Sequence, residues 1–160
     1  MAAPGVDVVH YWGKTGSQGP YSMAVQLNVE GAIKVLGAGH APNVPLDAGT
    51  EEGYPIISLT KRGQKYSGDI SDETDIVLAN IRRTFTAIAR RNEVTFDPKV
   101  FDHALIFANS PAEAKVAVNR WRHFVGKASA EVSVVITKAL PGMKVEIIPC
   151  STFPLLTKRR

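Results

Sequence analysis

A single cysteine, Cys150, excludes an internal disulfide, and the four histidines (His10, His40, His103 and His123) show none of the close spacings that mark a zinc site. No cofactor is implied. Long apolar runs are also missing: no stretch approaches the roughly 18 residues a bilayer span needs. The opening MAAPGVDVVHYW lacks a basic segment followed by an apolar signal core. The expectation is a cytoplasmic or nuclear protein, or a virion component made there, with no membrane partner.

What is present fits one folded unit. The chain has 160 residues, 44% hydrophobic and 21% charged, with no low-complexity tract or repeat. At this size it buries roughly two-thirds of the surface its unfolded form exposes. Residues 1–150 read as a single domain and 151–160 as a basic C-terminal tail. The formal charge of +4 favours a polyanionic partner, and its distribution says where. The excess gathers at Arg82, Arg83, Arg90 and Arg91, at Lys115, Arg120, Arg122 and Lys127, and at Lys158, Arg159 and Arg160.

The first half is rich in strand signals. VDVVHYW carries β-branched and aromatic residues, and the turn chemistry of GKTGSQGP follows it. YSMAVQLNV and AIKVLGAGH are joined by Glu30-Gly31, the two-residue connection of a hairpin. APNVPLDAGTEEG reads as a loop and YPIISLTKRG as another strand. Near Asp72 the period changes to helical: Val77 or Leu78, Ile81, Phe85 and Ile88 form one stripe. Asp72, Glu73 and Asp75 at its start and Arg90 and Arg91 at its end suit the helix dipole, a bland account of those arginines that competes with a phosphate-binding face.

HALIFA reads as a strand buried on both faces in the middle of a sheet. Ser110 as N-cap, Pro111 at the first helical position and Glu113 at the third then open a helix that Gly126 ends, with Trp121 as a core anchor. SAEVSVVITKAL is open between strand and helix, with helix preferred, and KVEIIPC is a strand. Gly13-Lys14-Thr15 ends like a phosphate-binding loop but leads into a strand, and the Gly-Ala-Gly at 37–39 cannot start a helix, so both are turn glycines. A pairing of His103 or His10 with Ser110 or Ser17 is not ordered by anything in the sequence. Cys150 reads as a buried small residue.

Three strands in hairpin order, then helix, strand, helix, a further segment and a strand, resemble the ribonuclease H-like superfamily. HYWGKTGSQGPYSMAVQL resembles that family's first hairpin, FANSPAEAKVAVNRW its Thr-Asp-Ser strand end with the following helix, and ALPGMKVEIIP a later strand. The resemblance implies an α/β fold with a mixed sheet, three antiparallel strands and then parallel ones, flanked by helices. It places the family's metal-holding acids at Trp12, near Ala79 or Asn80, and at Asn109, all uncharged here, so the two-magnesium chemistry is expected to be lost. Asp7, Glu73, Asp75 or Asp102 would restore it in a shifted register.

The implied function is a non-catalytic module, a pseudoenzyme that binds RNA, DNA or an RNA–DNA hybrid through Arg82, Arg83, Arg90, Arg91, Lys115, Asn109 and Arg122, with no metal site. A self-assembling viral coat or nucleocapsid-type subunit is the second reading, motivated by the small domain, early strands and basic tail. That reading makes homo-oligomer formation an expectation. A divalent-metal nuclease is the third.

Overall fold

The computed structural model describes residues 8–11, 24–37, 39, 69–127, 130–138 and 143–155. Trp12, the GKTGSQGP turn, the YPIISLTKRG strand and the Lys158–Arg160 end lie outside these residues, so those readings stay expectations.

Elements form where local chemistry asks for them. β1 (Val8–Tyr11), β2 (Ala24–Val29) and β3 (Ala32–Gly37) make an antiparallel meander, with Val29 opposite Ala32 across the Glu30-Gly31 turn. Gly31 takes φ +72°, a conformation that costs a side-chain-bearing residue more. α1 (Ile70–Arg91) starts two residues before the expected Asp72, because Asp69 caps it by accepting from the Ser71 and Asp72 N–H groups at 2.8 and 3.0 Å. A single 3-10 turn (Pro98–Val100) leads into β4 (Phe101–Ala108). α2 (Pro111–Val125) is capped by the Ser110 hydroxyl, which accepts from the Glu113 N–H at 3.2 Å, and Gly126 closes it at φ +69°. β5 (Glu131–Ile136) and β6 (Val145–Pro154) follow.

The sheet order is β1-β2-β3-β6-β4-β5. This overturns the expected ribonuclease H-like sheet. The strand added to the N-terminal meander is β6, antiparallel to both β3 and β4, and among the described residues only β4 and β5 pair in parallel. Glu131–Ile136 is a strand where helix was preferred. The physical reason is that β4-α2-β5 is a crossover unit whose helix returns the chain to pair alongside β4, and β-branched Val132, Val134, Val135 and Ile136 suit that pleated edge. β6 runs on to Pro154, so the boundary drawn at 150 falls inside a strand, and Phe153 is buried.

Both helices pack on one sheet face. Val77, Ile81, Phe85 and Ile88 of α1 and Ala117, Trp121 and Val125 of α2 meet Val35, Ala104, Ile106, Val145 and Ile147. Phe101 is the hub, with ring centroids 4.8 Å from Phe85, 5.1 Å from Trp121 and 6.0 Å from both Phe96 and Phe124. β4 is buried on this face only. Its alternate residues His103, Leu105 and Phe107 are half-buried on the other, which differs from the two-sided burial its composition suggested.

Candidate functional site

The sheet face away from the helices carries the chemistry. Strand alternation puts Glu146, Ile148, Cys150 and Thr152 of β6 on it, and the register assembles rows around them. Glu146 lies opposite Phe107, which lies opposite Val135; Ile148, Leu105 and Ser133 form the next row; Leu36, Cys150, His103 and Glu131 the next. The middle of this face is apolar yet open, with Leu36 46% and Val135 39% exposed. An apolar patch of this kind on a sheet marks an interaction surface.

Glu146 interrupts the apolar row. Its carboxyl is pushed above the ordinary carboxylate range by desolvation, since partial burial beside Phe107 removes part of the hydration its charged form needs. A Cβ built on Gly39 would fall on Glu146 Oε1, so only glycine at 39 leaves the carboxyl its place. A carboxyl held above its usual range keeps its proton to higher pH than an exposed one and is better suited to give it up in a reaction.

Polar groups border the same face. His103 Nε2 lies 3.0 Å from the Ser133 hydroxyl, so the histidine pairs with this serine and not with Ser110. The Thr152 hydroxyl donates to Asp102 at 2.5 Å. Burial, with the Asp102 charge second, raises the Cys150 thiol, which keeps it protonated and poorly nucleophilic.

The start of β6, and hence Glu146, is held from the helix side. Asn109 Nδ2 donates to the Met143 carbonyl at 3.1 Å, and the Lys144 N–H donates to Glu73 Oε2 at 2.7 Å. An amide at 109 therefore performs what a carboxylate could not, since an ionised carboxyl has no proton to donate to a carbonyl. Glu73 is 1% exposed, and its Oε1, like Glu113 Oε2, has no hydrogen-bond partner among the described residues. Desolvation raises Glu73 most; the Lys144 N–H and charge oppose this, and Glu113 adds to it.

A carboxyl raised in the folded state contributes stability that is complete below its ordinary value of 4.5 and is lost as pH climbs through the raised folded value. Glu73→Gln keeps an acceptor for Lys144 and adds a donor facing Glu113. The variant is therefore expected to be more stable than the parent by about 1–2 kcal/mol at pH 8 and little changed at pH 4. Urea unfolding at the two pH values checks this. Equal curves at pH 8 would mean that the buried carboxyl carries no cost.

The residues expected to bind nucleic acid do not converge. Arg90 and Arg91 stand exposed in the last turn of α1, where they complement the helix dipole, and Arg83 is half-buried. Arg82 lies over the Phe124 ring at 5.0 Å. Lys115 and Arg122 rim a groove between α2 and β5 with Val134 and Ile136. All of these sit on the helix layer, across the sheet from Glu146. Of the inferred acid positions, Asn80 is buried at 0% exposure and Trp12 lies outside the described residues. No group of three potential metal ligands occurs among the described residues, and no helix of the described residues is long and apolar enough to cross a membrane. Glu146 escaped the sequence reading, although its position inside the alternating KVEII was a signal that one acid shares a face with Ile148.

No protein-family model matches the chain, and no curated protein matches it by sequence. Solved structures do match by fold. A Thermotoga maritima protein described as a candidate endoribonuclease is 21% identical with a TM-score of 0.58, over 87% of this chain and 91% of that one. A Yersinia pestis protein of unknown function from the Rid family is 23% identical at 0.55, over 84% and 89%. A Mycobacterium tuberculosis member of the YjgF/YER057c/UK114 family is 18% identical at 0.58, over 92% and 100%. The likeness is one of fold. It replaces the ribonuclease H-like assignment, and the readings built on that assignment and its rivals fall with it: the nucleic-acid-binding pseudoenzyme, the viral structural subunit and the metal-dependent nuclease.

Proposed function

We propose that the chain is a metal-independent hydrolase for small substrates with a carbon–nitrogen double bond, working through Glu146. The observation that carries this is the Glu146 carboxyl, raised by desolvation, at the end of an apolar sheet face beside Gly39. Raising a carboxylic acid moves its acidity toward that of a protonated imine nitrogen and away from that of a protonated carbonyl or phosphoryl oxygen, so proton donation to C=N is the task it suits. Glu146 gives its proton to the nitrogen, and its carboxylate then takes a proton from the water that adds to the carbon. Returned to the amino nitrogen, that proton lets the tetrahedral adduct expel ammonia while the adduct's hydroxyl passes its proton to the Glu146 carboxylate, which leaves a carbonyl compound and the restored acid.

The remaining apolar face, with Leu36, Leu105, Ile148 and Val135, is closed in this reading by a second copy of the chain, leaving Glu146 near the seam. RNA is the second substrate class, favoured by the description of one fold neighbour as a candidate endoribonuclease and by the positive charge.

The test is ammonia release from an imino acid generated in situ by an amino-acid oxidase, run beside a gel assay of RNA integrity. Ammonia release above the uncatalysed rate with intact RNA is expected. Shortened RNA without ammonia release would transfer the assignment to the second class, and neither result would overturn both.

A further inference from the structure

We infer that the groove between α1 and α2, on the far side of the helices from Glu146, is a second binding site that takes an aromatic carboxylate. The groove is open to solvent and offers about 780 Å³, within the volume range of small-molecule sites, and its floor is apolar, made by Leu78, Ala79, Val116 and Phe124. Two guanidinium groups reach it.

Arg82 lies over the Phe124 ring at 5.0 Å and the Phe96 ring at 6.0 Å, and it has no carboxylate partner among the described residues. Stacking of this kind restrains the guanidinium while leaving its N–H donors unspent, which presets a fork for a carboxylate. Arg120 is fixed differently. Its Nη1 lies 2.6 Å from each Asp75 oxygen, so one nitrogen bears the ion pair and the remaining donors stay available to the groove. Arg82 and Arg120 against Asp75 leave one net positive charge, with His123 at the rim. A monoanion balances that charge, whereas the second charge of a phosphate would face Asp75. Apolar floor, ring stack and single charge together select a planar ring bearing one carboxylate.

The experiment titrates naphthalene-2-carboxylate into ¹⁵N-labelled protein and follows the Arg82 and Arg120 Nε–H resonances, with neutral naphthalene-2-carboxamide as the comparator. Saturable shifts at both arginines are expected, with the carboxamide about tenfold weaker. Arg82→Met keeps an apolar stem on the rings and removes the charge, and it should weaken binding about fivefold or more without changing the unfolding midpoint. Asp75→Asn, which removes the competing carboxylate, should tighten binding about twofold or more. That gain is not a result that damage to the fold can mimic. Carboxamide binding as tight as the acid, shifts that map elsewhere, or a natively folded Asp75→Asn variant that binds no tighter would each overturn the site.

Discussion

Glu146→Gln lowers ammonia release by about 10²–10⁴-fold and leaves the unfolding midpoint unchanged or slightly raised. The loss is large because the amide occupies the same space beside Gly39 but can neither give up a proton to nitrogen nor take one from water. Stability is spared for a separate reason. A desolvated carboxyl disfavours the folded state above its ordinary pKa, so removing the charge removes a cost. In the parent, ammonia release is expected to depend on the protonated form and to fall as pH rises through the raised value of Glu146. Glu146→Asp should retain partial activity, with its alkaline limb moved and not abolished. Steady-state rates between pH 5 and 9, with thermal unfolding of each variant, check the whole pattern. A Gln variant that keeps the parent's pH profile would remove Glu146 from the chemistry.

Phe101→Ala destabilises the fold by about 3–5 kcal/mol. Phe101 is 1% exposed and contacts four aromatic neighbours, three on the helices and one in the segment before β4. Truncation removes buried ring surface and leaves a cavity between the Phe85 and Trp121 rings it now touches. Against a typical total of about 5–15 kcal/mol, the variant loses a large share of its stability, and its midpoint should fall by roughly 10 °C or more. Leu36→Ala, on the open sheet face, should cost far less as a monomer because its side chain is 46% exposed. Differential scanning calorimetry of the two variants separates the buried hub from the open face. Equal losses would show that the face is as well covered as the core.

Much of the local structure was legible from the chain. The helical stripe from Val77 to Ile88, the Ser110 cap, the Gly126 stop and the Glu30-Gly31 turn all depend on residues a few positions apart, and the structure has them where the spacing put them. The burial of Trp121 followed from its place on an apolar stripe. That one cysteine cannot form an internal disulfide also follows from the sequence alone.

The order of the sheet was not legible, and the family resemblance failed there. β6 enters between β3 and β4 through pairings such as Leu36 with Cys150 and Phe107 with Glu146, contacts between residues far apart in sequence that no local pattern specifies. The same insertion settled the site. The alternation in KVEII told that Glu146 and Ile148 share a face, but not whether helices would cover it. Asn109 read as an acid position that had lost its charge; only the approach of Met143 showed an amide spending its donor on a carbonyl to hold the start of β6. Sequence alone determined the elements and their apolar faces, because those follow from backbone geometry and nearby side chains. Tertiary structure decided which face stayed open and which carboxyl was desolvated on it, because both depend on long-range packing.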